Sequence, residues 1–113
     1  MKKIIALLMT LFSFVGAQAA SEPSYPGGEA ALQAYIMDNL QYPASAKDNG
    51  IEGVVGVVFV VKADGTIGNI KIKRMVDPDL ESEAIRLVKG MPKWTPADSG
   101  DAQAEVNIPF TLD

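Results

Sequence analysis

Neither cysteine nor histidine occurs anywhere in the 113 residues. Their absence removes the commonest zinc ligands, the thiol nucleophile and the usual general base. It also removes disulfides, so a secreted form of the chain must hold itself by core burial alone. Attachment of a lipid to a cysteine after the apolar N-terminus is excluded as well. Basic residues are scarce, 10 against 14 acidic ones. An acidic chain lacks the footprint that nucleic-acid phosphates require, and an anionic membrane surface is an equally poor partner. There is one tryptophan. What is abundant is apolar material, 48% of residues, enough for one domain with a core and too much for a disordered chain.

The one long apolar run stands at the start. Met1, Lys2 and Lys3 are followed by residues 4–15, interrupted only by Thr10 and Ser13, and then by Ala17-Gln18-Ala19. A basic start, a short apolar stretch and a small-x-small site are the three parts of a secretory signal peptide. As a helix the stretch rises roughly 18 Å, short of the about 30 Å a spanning segment must cross. The expectation is residues 1–19 as signal peptide cleaved after Ala19, 20–24 as a short leader and 25–113 as the domain, in the periplasm. Retention as an inner-membrane anchor is the minority alternative. Loss of Lys2 and Lys3 makes the mature net charge about −6 by counting.

After the Tyr25-Pro26-Gly27-Gly28 turn, Leu32, Tyr35, Ile36 and Leu40 mark one face of a helix over 29–40. Tyr42-Pro43 breaks it, and 44–49 forms a brief helical turn stopped by Gly50. Residues 51–61 are β-branched and apolar on both parities, which suits a strand that is central or covered on both sides. Asp64-Gly65 turns the chain into a second strand over 67–76, completing a hairpin. Asp77-Pro78 starts a second helix whose apolar face is Leu80, Ala84, Leu87, Val88 and Met91, with Pro92 as its stop. Finally Ala104, Val106, Ile108, Phe110 and Leu112 alternate with Glu105, Asn107, Pro109 and Thr111 in a half-buried last strand.

The strand-helix-strand crossover makes strands two and three parallel, so strand one fits between them, antiparallel to both. Pro109 cannot donate to a ladder and belongs at an edge. The fold class is therefore α+β: two helices on one face of a three-stranded antiparallel sheet of order 2-1-3.

Catalysis is not expected. No Ser-x-x-Lys or Gly-x-Ser-x-Gly occurs, and Gly50, Gly53 and Gly56 have the wrong spacing for a dinucleotide loop. A carboxylate pair could serve a glycosidase, but a domain of this size leaves little room for a cleft. The acids Asp77, Asp79, Glu81 and Glu83 do not form an EF-hand, because Ser82 and Val88 occupy the places of its glycine and last glutamate. They suit the positive end of a helix dipole instead. Trp94 reads as core rather than as a ligand platform. No cofactor or metal is expected.

Several short segments, in this order and spacing, resemble the C-terminal domain of TonB, the energy transducer of the Gram-negative envelope. They are Tyr42-Pro43-Ala44-Ser45-Ala46, Ile51-Glu52-Gly53, Asp64-Gly65, Asp77-Pro78, Trp94-Thr95-Pro96 and Val106-Asn107-Ile108. The opening Tyr25-Pro26-Gly27-Gly28-Glu29 is similar to one branch of that family. The resemblance implies a periplasmic module that captures the TonB box of outer-membrane transporters by strand pairing at the edge of its last strand. The residues concerned are Ala104, Glu105, Val106, Asn107, Ile108, Pro109 and Phe110, with Tyr42 and Pro43 beside them. Contacts with inner-membrane transducer subunits, and a homodimer through the same edge, stay open. A full transducer has an uncleaved membrane helix and a proline-rich spacer; this chain shows neither, so only the binding module is expected. The alternative is a structural or assembly module of the envelope that binds another partner or itself.

Overall fold

The computed structural model describes residues 22–112. The expected signal peptide lies outside the described residues, and no described helix is long and apolar enough to cross a membrane. The elements in chain order are α1 (Glu29–Asn39), α2 (Ala44–Asp48), β1 (Gly53–Val61), β2 (Ile67–Arg74), α3 (Pro78–Lys89) and β3 (Ala102–Phe110).

The sheet has the order β2-β1-β3 with both pairings antiparallel. β1 is central, as its double apolar parity demands. Only one of its faces is covered. Val55, Val57, Phe59 and Val61 are fully buried under the helices, while Val54, Val58 and Val60 lie half-buried on an open face. There a Lys73–Glu105 ion pair, 3.0 Å, spans the sheet from β2 to β3. Leu80, Ala84, Leu87 and Val88 of α3, Leu32 and Ile36 of α1, and Val106, Ile108 and Phe110 of β3 complete one core.

The ends of the elements follow local chemistry. Asp77 caps α3 by accepting from the N–H groups of Asp79 (2.9 Å) and Leu80 (3.4 Å), with Pro78 in the first turn where no donor is missed. The helix stops before Pro92: Gly90 caps it, its N–H donating back to Arg86 and Leu87. β2 ends at Arg74, two residues short of the expectation, and Met75 and Val76 are exposed.

In the β1–β2 hairpin Gly65 N–H donates to Lys62 O and Lys62 N–H to Thr66 O, both 2.8 Å. Gly65 has φ 89°, and a Cβ there would meet the Trp94 carbonyl at 2.6 Å. Glycine thus serves both the turn and the close approach of the 93–94 backbone, whose Trp94 N–H bonds Gly65 O at 2.9 Å. Hydrogen bonds from the Thr66 hydroxyl and N–H hold the Asp64 carboxyl below its ordinary range.

Candidate functional site

An antiparallel order of three leaves two free edges, β2 and β3. They are not equivalent. Along β2 the register slips twice against β1, between Gly56 and Val57 and between Val58 and Val60, and Asn69 has φ 51°. The strand also carries exposed Lys71, Lys73 and Arg74. Bulges and cations are the devices by which an edge is closed to further pairing. β3 has neither. It runs against β1 in one unbroken register from Gly53↔Phe110 to Val61↔Ala102.

The hairpin bond from Lys62 to Thr66 fixes which way each peptide group of β1 points. Even-numbered residues of β1 turn their N–H and C=O toward β2, and odd-numbered ones toward β3, because the direction alternates along a strand. Val55, Val57 and Phe59 therefore bond Ile108, Val106 and Ala104, so the even residues of β3 spend their peptide groups inward. Leu112 keeps the same parity, its N–H donating to Glu52 Oε2 at 2.5 Å. Gln103, Glu105, Asn107 and Pro109 face outward. No described residue makes a backbone hydrogen bond to these groups. Pro109 thus omits a donor only where no ladder bond existed. The side chains follow the same period: Val106, Ile108 and Phe110 are buried, while Gln103, Glu105, Asn107 and Pro109 are exposed.

Tyr42 and Pro43 lie at the far end of this strand, on the helix side. The Tyr42 ring meets Phe110 edge to face at 5.6 Å and its hydroxyl donates to Ile51 O; Pro43 caps α2. Burial, and then the Glu52 charge, raise the Tyr42 phenol above its ordinary value. The linker that carries Tyr42 is held by a group that sequence reasoning treated only as a helix-dipole acid. Glu83 is 7% exposed; its Oε2 accepts from Gln41 N–H at 2.6 Å, and both oxygens accept from Arg86 at 2.7 Å. Arg86 Nη2 also donates to Asn39 O at 2.9 Å, so the pair fastens the end of α1 to α3. Burial raises the Glu83 carboxyl, but the Arg86 and Gln41 hydrogen bonds outweigh it, and the net shift is downward. The i, i+3 spacing of Glu83 and Arg86 was the available signal; Gln41 left none.

A second feature missed from sequence lies at the opposite end of β3. Ser24 and Thr95 exchange backbone hydrogen bonds of 3.0 and 2.8 Å, and residues 22–25 share the lining of one cavity with Gln103, Ala104 and Glu105 at the start of the strand. The cavity is about 270 Å³, with Tyr25, Leu32 and Trp94 in its wall and Glu22 and Glu29 among its lining residues. Trp94 is core, as expected, its ring edge-to-face with Phe59 (5.2 Å) and Tyr25 (5.8 Å).

The profile described as Gram-negative bacterial TonB protein C-terminal matches residues 38–112, from the end of α1 through β3. The chain belongs to the TonB C-terminal domain family. Two Helicobacter pylori TonB proteins are each 29% identical to it over 82 residues, which is 72% of this chain. The match spans 29% of the length of those relatives. Two solution NMR structures of the H. pylori TonB C-terminal domain share the fold at 27% identity. One has TM-score 0.57, over 72% of this chain and 77% of that one; the other has 0.59, over 74% and 92%. TonB proteins belong to the Gram-negative envelope, and the TonB C-terminal domain is a binding and energy-transducing domain, not an enzyme.

Proposed function

We propose that this TonB-like domain is a periplasmic binding module that captures extended, TonB-box-type segments of outer-membrane transporters as an added strand on β3. The observation that carries the reading is the unbroken register of the β3 edge, with a bulged and cationic β2 at the opposite edge of the sheet. Affinity comes from the outward peptide groups of Gln103, Glu105, Asn107 and Pro109, so no single guest side chain is obligatory for pairing. Tyr42 and Pro43 flank the strand's end and would meet a guest that runs past Phe110. Export by cleavage after Ala19 places the domain where such segments emerge.

The test is amide-shift mapping with peptides taken from transporter N-termini. Shifts should run along residues 103–109, with affinity on the order of micromolar because a disordered peptide loses entropy when it orders. Shifts confined to the Asp64-Gly65 turn or to α3 would instead favour an assembly module that binds another envelope component.

A further inference from the structure

The cavity at the start of β3 is adjacent to the edge and on the helix side of the sheet. Ala104 lines it, half-buried, with its side chain on the core face of the strand. Neighbouring residues on paired strands present their side chains to the same face. A guest strand on this edge would therefore direct the side chain beside Ala104 into the cavity.

The chemistry of the cavity is specific. Tyr25 and Trp94, 5.8 Å apart and perpendicular, supply aromatic surface, and Leu32 adds aliphatic surface. The lining acids Glu22 and Glu29 are exposed, and among the described residues neither has an ion-pair partner; Glu29 only accepts from Gln33 at 3.0 Å. Glu105, the third acid there, has its carboxylate engaged by Lys73. The indole Nε1–H of Trp94 is itself buried, with no acceptor among the described residues. Aromatic and aliphatic surface beneath uncompensated carboxylates suits a long side chain with an apolar stem and a cationic tip.

We propose that this cavity is a specificity pocket of the edge. The segment that pairs with β3 carries a lysine or arginine beside Ala104, its stem against Tyr25 and Trp94 and its cation at Glu22 and Glu29. The proposal rests on the edge-pairing reading and adds to it the chemistry of one guest residue. It gives direction to an interaction that main-chain bonding alone leaves indifferent to sequence, since a glutamate at the same place would meet two like charges.

The experiment uses the protein with three peptides of alternating threonine and valine that differ at one central position, bearing lysine, glutamate or leucine. Trp94, the only tryptophan, reports the pocket through its emission, and amide shifts report the edge. The lysine peptide should bind about tenfold more tightly than the glutamate peptide and alone change the indole emission. That preference should vanish in the Glu22→Gln, Glu29→Gln double variant, whose exposed positions leave the core intact, and persist in Asp48→Asn, an exposed acid elsewhere. Equal affinities for lysine and glutamate with shifts along β3 would overturn the pocket and leave edge pairing standing. Tightest binding by the leucine peptide would overturn the cationic assignment. No β3 shift with any peptide would overturn the pocket together with the edge reading.

Discussion

Pro109 stands opposite Val54 in the β1–β3 ladder, in a pair whose peptide groups point away from each other. One residue earlier, Ile108 faces Val55 and spends its N–H inward. This alternation separates the two things a residue of β3 can do: hold the sheet, or receive a guest.

Proline probes exploit that separation. Asn107→Pro removes an outward N–H and should abolish peptide binding while leaving the urea midpoint nearly unchanged. Val106→Pro removes an N–H that bonds Val57 and should cost about 3 kcal/mol or more. Equal loss of stability in the two variants would refute the assigned parity. Titration of both proteins with one transporter peptide, beside equilibrium melts, makes the comparison.

Leu87 and Phe110 are both fully buried, one from α3 and one from β3, and each fills the space between helices and sheet. Alanine at either should cost about 2–5 kcal/mol, much of the about 5–15 kcal/mol a domain possesses. Phe110→Ala should also loosen the Tyr42 ring that rests on it. Urea unfolding measures the loss, and a change under about half a kcal/mol would contradict the packing.

Glu83 sets an acid limit on stability. Its carboxyl is lowered in the folded state, so its contribution is complete above the ordinary glutamate value of about 4.3 and is lost as pH falls through the lower folded value. Stability should therefore decline on acidification below about pH 5, and Glu83→Gln should flatten that part of the profile. Glu83→Ala, which strands Arg86 and the Gln41 N–H, should cost about 1–3 kcal/mol at neutral pH. Melts at a series of pH values decide both points.

Export should leave a chain that begins at Ala20. The intact mass of the protein recovered from the periplasm checks this. A product still beginning at Met1 and sedimenting with the inner membrane would revive the anchored alternative.

The order of the strands was legible in the residues because two local facts constrain it together. The apolar double parity of 51–61 demands a central place, and Pro109 demands an edge. The caps of α3 were equally plain, since Asp77 and Pro78 act on the peptide groups of the next turn. The inequality of the two edges was legible only in the cations Lys71, Lys73 and Arg74 of β2. The register slips of β2 arise from its pairing with β1, and nothing in residues 67–74 alone announces them.

The sequence by itself determined the elements, their order in the sheet and the buried face of each, because helix and strand periods, caps and proline restrictions act over a few neighbouring residues. Only the tertiary structure decided where those elements meet. Gln41 reaches Glu83 across 42 positions, and Tyr25, Leu32 and Trp94 converge on one cavity at the edge of β3. Such contacts depend on how whole faces pack, and side chains far apart in the chain carry no local pattern that names their partners.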